Sequence, residues 1–309
     1  MTGSELVQKL VKETKEFHGL NNPLWQTKDT IRVVELEGDT DHGFNVAKHF
    51  DELGENDLPC ELINISYGSS GGKVTRISAK TVDGVLYEGF DNVFKLLETA
   101  DIIGISKSGD YPKEIDDMLV KTKAILLCSA GNDGDDGVTG RFKDIPCAIV
   151  TGAAYIHDGV VMPEGYSAYA TVDRYLSALH SWGEGTSYSD PIIMYICKCI
   201  KARYPNFNQD NAFEVLKSIS FDAGPLGFDK RFGHGLPILP ADGIIPMLEE
   251  ETQMTDKFKD IDNHWAESAI ISAAETGLME GYEDGTFRPD VAVTRAELAT
   301  ILQRLKEGK

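Results

Sequence analysis

Five short, almost wholly apolar runs separated by amphipathic stretches constrain this chain more than any other feature. They are Ile31–Leu36, Glu61–Ile65, Ile102–Ser106, Ala124–Ser129 and Cys147–Thr151, bounded by Gly, Asp and Asn. Runs of this length with little polar alternation suit strands covered on both faces, as in a parallel sheet. Between them, Phe44–Leu53, Asn92–Thr99 and Lys113–Lys123 carry apolar residues at helical spacing. Strands alternating with helices need crossover connections and predict a three-layer α/β domain with a mostly parallel sheet. Lys73–Tyr87 alternates around Asp83-Gly84 and predicts a β-hairpin inserted into that core. Further helices are expected at Pro191–Ala202 and Asp210–Ser220. A short amphipathic helix is expected near the start, where Leu6, Val7, Leu10, Val11 and Phe17 fall at helical spacing.

The 309 residues include 50 acidic and 30 basic side chains, a formal net charge of −20. That excess argues against nucleic acid and against an anionic membrane surface as partners, since both recruit clustered Lys and Arg. No apolar run approaches the ~20 residues of a membrane-spanning helix. The first residues lack the unbroken apolar core of a secretory signal, so synthesis in the cytoplasm is expected. Five cysteines are an odd number and no disulfide framework. Cys197 and Cys199 lie two apart in the apolar stretch PIIMYICKCI, do not share a helix face, and read as core rather than as metal ligands.

After Leu248 the character changes. Residues 249–256 are polar and acidic, a linker, with the domain boundary placed near Thr252. The expected organisation is an N-terminal helical segment at 1–28, the α/β domain at 29–248, and a small all-α domain at 257–309. A unit of about 50 residues usually needs repeats or partners to be well stabilised.

Three residues carry candidate chemistry. Ser187 lies in GEGTSYSDP just before an apolar helix, where backbone N–H groups and the positive dipole end favour a developing oxyanion. His42 opens an amphipathic helix, a place that keeps imidazole neutral and able to accept a proton. Asn132 follows the strongest strand in LLCSAGNDG, outside the carboxyl end of the sheet, where α/β proteins place ligands. Taken singly, each is equally an ordinary helix cap, surface histidine or turn asparagine.

In chain order the segments VVELEG, HGFNVAKHF, DIIGISKSGD, SAGNDG, GTSYSDP and FGHGLPILPADG resemble the subtilisin-like serine proteases, over roughly residues 29–245. The resemblance implies a subtilisin-like fold and hydrolysis of peptide bonds through an acyl-enzyme. It implies Ser187 as nucleophile, His42 as general base and Asn132, with the Ser187 N–H, as oxyanion donors. Ser106, Lys107, Ser108 and Gly109 would line the strand edge that holds an extended substrate. Glu35 stands where the family has its Asp, as in the related sedolisins, while Glu37 and Asp39 remain alternatives. The histidine motif departs from the family at Phe44, Asn45 and Lys48, and Tyr188 and Asp190 are unusual after the serine. No cofactor is required, and no complete ligand set for the structural calcium common in such proteases can be mapped. The hairpin and the irregular stretch Pro163–Trp182 are expected to shape the substrate cleft.

At the other end, FKDI, HWAE, GLMEGY, DGTFRPD and VTRAEL resemble one S-layer homology domain. Thr294 with Glu297 forms a predicted capping box. Ala266, Ile270, Ile271 and Ala274 make one helix face, and Leu298, Ile301, Leu302 and Leu305 another. The resemblance implies binding of bacterial secondary cell-wall polysaccharide, with Trp265 stacking on sugar and Arg295 pairing with its acidic groups. The expected whole is a serine endopeptidase for protein or peptide substrates, associated with the cell wall after export or lysis, phage-encoded genes included. The alternative is a catalytically impaired protease fold acting as a wall-bound binding or structural protein.

Overall fold

The computed structural model describes residues 3–25, 31–37, 61–70, 73–80, 86–105, 113–134, 137–138, 145, 147–179, 185–249, 258–262, 264–282 and 284–306. The chain divides into two compact units, Met1–Gly243 and Ile244–Lys309. His42, the helix expected at Phe44–Leu53 and the segment Ser106–Gly109 lie outside the described residues.

The first unit is built on one sheet. Its strands are β1 (Val33–Glu37), β2 (Glu61–Ser70), β3 (Lys73–Lys80), β4 (Leu86–Glu88), β5 (Ile102–Ile105), β6 (Ile125–Ser129), β7 (Ile149–His157), β8 (Val160–Pro163) and β9 (Tyr175–Leu179). The order is β4-β3-β2-β1-β5-β6-β7-β8, with β9 also paired to β7. Strands β2, β1, β5, β6, β7 and β9 run parallel. The expected hairpin is present as β3 and β4, which extend the sheet antiparallel beyond β2. Every residue of β5, β6 and β9 is buried, which is why these runs lack polar alternation.

Strand β9 corrects the expectation that Pro163–Trp182 is irregular. YLSAL is short and carries a serine between polar flanks, so periodicity gives it no signal. Its place is fixed by packing. The Tyr175 hydroxyl donates to the Ala168 carbonyl at 2.7 Å and reaches the Ser167 hydroxyl at 3.3 Å. Gly152 on β7 leaves room for that ring, since a Cβ there would stand 2.0 Å from the Tyr175 oxygen.

The unit also holds helices α1 (Gly3–Phe17), α2 (Phe90–Glu98), α3 (Lys113–Leu119), α4 (Asp190–Arg203) and α5 (Ala212–Ser218), and a small antiparallel pair of Ser220–Phe221 with Leu236–Pro237. Helix α4 is buried on every side from Asp190 to Ile200 and packs on β5, β6, β7 and β9. Cys197 and Cys199 are accordingly core thiols whose pKa values burial pushes up.

The N-terminal helix docks onto the closing segment of the same unit. Helix α1 ends in a Schellman motif: Leu20 N–H reaches the Lys15 carbonyl and Gly19 N–H the Glu16 carbonyl, with Gly19 at φ 73°. The turn delivers His18 into the core, fully buried. Its Nδ1 lies 2.6 Å from the Pro237 carbonyl and its Nε2 accepts the Leu179 N–H at 3.1 Å. A carbonyl on one side and an N–H on the other fix the neutral Nδ1–H tautomer. The Trp25 indole follows, donating to the Pro240 carbonyl at 2.8 Å. Burial lowers the His18 pKa to about 4, against the opposing pull of the Pro237 carbonyl.

Because that value lies below the unfolded one, the stability from the neutral ring is present above about pH 6.5. It is lost as pH falls toward 4, by about 3 kcal/mol. Denaturant titration should show this slope in the wild type between pH 7 and 4.5 and a shallower one in His18→Gln. Equal slopes would show that His18 is not the acid-sensitive element.

The second unit carries α6 (Glu267–Glu275) and α7 (Arg295–Lys306) around a small core of Phe258, Ile261 and Ile270. Gly281 is required against that core, since a Cβ would stand 2.0 Å from the Phe258 ring. The capping box is formed: Glu297 N–H donates to the Thr294 hydroxyl at 3.2 Å and Thr294 N–H to the Glu297 carboxylate at 2.7 Å. The Asp260 carboxylate accepts from the Phe287 and Arg288 amides at 2.7 and 2.8 Å. Leu298, Leu302 and Leu305, expected as a buried face, are exposed along α7. Among the described residues no helix is long and apolar enough to cross a membrane.

Candidate active site

Parallel strands deliver the ends of β1, β5, β6 and β7 side by side along one edge of the sheet. Glu35 sits in β1 opposite Leu62 of β2 and Gly104 of β5, and Glu37 ends the strand opposite Asn64. Strand β6 runs directly into Ala130, Gly131 and Asn132. The Ala130 N–H bonds to the Thr151 carbonyl and the Ala168 N–H to the Gly131 carbonyl, so neighbouring backbone holds this turn. Gly131 has φ 104°, a conformation that favours glycine.

Ser187 lies in a 3₁₀ turn, Thr186–Tyr188, which leads through Ser189 into α4. Thr186 joins this turn to the end of β6 by three hydrogen bonds. Its N–H donates to Asn132 Oδ1 at 2.9 Å, and its hydroxyl donates to the same oxygen at 3.2 Å. The hydroxyl in turn accepts the Gly131 N–H at 3.1 Å. Two donors on one oxygen settle the orientation of the Asn132 amide and leave its Nδ2 protons for another acceptor. Gly185, at φ 137°, lets the amide approach, since a Cβ there would stand 3.2 Å from Nδ2. Asn132 is exposed and Ser187 buried. The structure thus brings together Asn132 and the Ser187 turn, 54 residues apart at Thr186, by side-chain chemistry.

Two residues at this edge carry signals that sequence reasoning used only in part. Thr186 belongs to the recognised GTS segment, yet its part as the clamp appears only in three dimensions. Asp190, noted only as unusual after the serine, is fully buried on the first turn of α4. Burial pushes its carboxyl up to about 7, while the Thr151 hydroxyl and the Ile105 backbone lie close enough to pull the other way. Among the described residues no group of three or more His, Cys, Asp or Glu side chains could hold a metal ion.

On the second unit, Trp265 is 91% exposed beside His264, and Arg295 is exposed at the start of α7. No hydrogen bond or ring contact joins the two among the described residues. A groove of about 650 Å³ lies elsewhere on this unit, lined by Tyr282, Arg288, Glu297 and Arg304 among others. Arg288 stacks 4.0 Å from the Tyr282 ring centroid and donates to Asp284 at 2.7 Å. The Thr286 hydroxyl and Arg288 hold the Asp284 carboxyl down at about 2.

The family model of the S-layer homology domain matches residues 257–299, and this segment is such a domain. The cellulosome-anchoring protein of Acetivibrio thermocellus is 51% identical over 51 residues. Cell surface glycoprotein 1 of the same organism is 49% identical over 51 residues. The matches cover 16% of this chain, and only 11% and 2% of those relatives' lengths. Among solved structures, the PagA protease of prenylagaramide maturation is similar at 16% identity and TM-score 0.48, over 79% of this chain and 98% of its own. Sphericase is similar at 18% identity and TM-score 0.39, over 52% of this chain and 66% of its own. Fervidolysin from Fervidobacterium pennivorans, a keratinolytic enzyme related to subtilisin, gives 19% and 0.39, over 48% and 27%.

The clamp makes a stability prediction. Thr186→Val removes the acceptor of a buried N–H and should cost about 1–3 kcal/mol by denaturant titration. Thr186→Ser keeps the oxygen and should stay within about 1 kcal/mol of the wild type.

Proposed function

We propose that the first unit is a subtilisin-like serine endopeptidase and that the S-layer homology domain holds it at the bacterial cell wall. The Thr186 clamp carries this reading. It ties the Asn132 side chain to the Ser187 turn with the amide oxygen occupied, so that the amide protons are the part left to meet developing negative charge. In this reading Ser187 attacks the scissile carbonyl and His42 takes its proton, later giving it to the leaving amine. Asn132 Nδ2 and the Ser187 N–H donate to the tetrahedral oxyanion. Glu35 orients His42, with Glu37 and Asp39 as alternatives, and residues 106–109 hold the substrate extended. No cofactor takes part.

The wall-binding part rests on the S-layer homology domain. Trp265 offers an exposed ring for sugar stacking, and Arg295 a cation for an acidic group of the polysaccharide. The chain spans only a small part of the curated relatives it matches, so their anchoring role enters here as an analogy.

Intact-mass labelling with a fluorophosphonate should give one adduct on the wild type and none on Ser187→Ala. No adduct on folded wild type would turn the reading to a wall-bound protein that keeps the fold without the activity, which the altered HGFN segment favours. Asn132→Ala should lower kcat by about 10²–10³-fold, as removal of one oxyanion donor does. Glu35→Gln should lower kcat by orders of magnitude and Glu37→Gln should not; the reverse result would reassign the acid. Deleting residues 253–309 should abolish pelleting with purified cell walls and leave peptidase activity in place. Unchanged pelleting would remove the wall-binding assignment.

A further inference from the structure

Asp190 takes no part in the proposed reaction, yet it lies three residues from its nucleophile. It is fully buried, and among the described residues neither carboxylate oxygen closes a hydrogen bond of full geometry. Among the described residues, the hydroxyls of Ser129, Thr151 and Ser189 are likewise buried and close no hydrogen bond of full geometry. Ser129, the last residue of β6, is the register partner of Thr151, the third residue of β7, and Asp190 lies against Thr151 and the Ile105 backbone. A set of buried polar groups with no partners is costly, so a core keeps one only where the groups serve each other. A carboxylate offers acceptors alone, whereas a neutral carboxylic acid offers a donor as well and can both give to and take from hydroxyls.

We propose that Asp190 is a positioning residue for Ser187. Its neutral carboxyl hydrogen-bonds into the Thr151 and Ser129 hydroxyls and pins the first turn of α4, and with it the Thr186–Tyr188 turn, to β6 and β7. The proposal rests on the serine-peptidase reading of Ser187.

The surroundings favour the neutral acid. Burial raises its pKa to about 7. Among the described residues, the titratable neighbours whose values respond to Asp190 are the Cys128 thiol on β6 and the Cys197 thiol on α4, both held neutral by burial. Lys198 lies more than two turns along the same helix. Strand β5 brings only Ile and Gly side chains. On β7, Tyr155 and His157 stand at the far, less buried end, and on β9 the Tyr175 hydroxyl is committed to the Ala168 carbonyl. Because the folded value lies above that of an unfolded Asp, stability falls as pH rises from about 4 to about 7 and is level above that. The same ionisation removes the only proton the carboxyl can donate, so labelling of Ser187 should weaken on the alkaline side.

Fluorophosphonate labelling rates of the full chain, followed from about pH 6 to about pH 8.5, test this. The wild type should lose about tenfold across its alkaline limb. Asp190→Asn keeps a donor and an acceptor at every pH; it should stay within about threefold of the wild-type maximum and lack that limb. Asp190→Ala should lose about tenfold or more throughout. A purely structural Asp190 would lower the rates of both variants with their stability and leave the limb in place, so a limb retained in Asp190→Asn overturns the proposal. Wild-type rates in Asp190→Ala overturn it as well. The infrared difference spectrum between wild type and Asp190→Asn at about pH 6 reads the acid directly and needs no activity. A protonated carboxylic C=O band is expected, and its absence overturns the proposal whatever the labelling shows. A band with no labelling of folded wild type defeats the peptidase reading instead, and the positioning role with it.

Discussion

A helix buried on every side cannot slide or rotate without opening voids in close-packed surroundings, because its apolar contacts run all the way round. Helix α4 is in that situation from Asp190 to Ile200, lying across β5, β6, β7 and β9. The Thr186–Tyr188 turn packs against its first turn. Ser187 enters through a turn whose far end is the start of this helix. The position of Ser187, the proposed nucleophile, follows from the packing of this helix.

That packing alone would leave the Asn132 turn free to drift, since it belongs to a different strand. Polar chemistry closes the gap. Thr186 spends its N–H on Asn132 and shares its hydroxyl between Asn132 and the Gly131 amide. The Gly131 N–H and the Thr186 hydroxyl are buried, and the cost of leaving them unmet holds the two turns together. Glycines at 131 and 185 supply backbone conformations and close approaches that a side chain would obstruct. His18 works in a similar way at the N-terminal segment, where one neutral ring joins Leu179 to Pro237.

The second unit relies on a different balance. Its apolar core is small, and polar contacts fix its loops: Asp260 on the Phe287 and Arg288 amides, Asp284 on Arg288, and the capping box on α7. The Asp284 bond and the capping box join residues three or four apart, whereas Asp260 reaches amides 27 and 28 residues along the chain. Leu298, Leu302 and Leu305 on α7 remain exposed within the unit.

The sequence by itself determined the parallel core, because strands buried on both faces leave apolar runs, and it marked the Ser187 and Asn132 turns through glycine-rich strand and helix ends. It also determined the α7 capping box, a contact between residues three apart. It could not reveal β9, whose five residues carry no period and are placed by a tyrosine filling the space above Gly152. Nor could it assign partners to His18, Thr186 or Asp190, each of which meets groups tens to hundreds of residues away in the chain. Periodicity reports which face of an element is buried, whereas tertiary structure alone decides which polar atoms are buried together. The protonation states of His18 and Asp190 depend on that second fact.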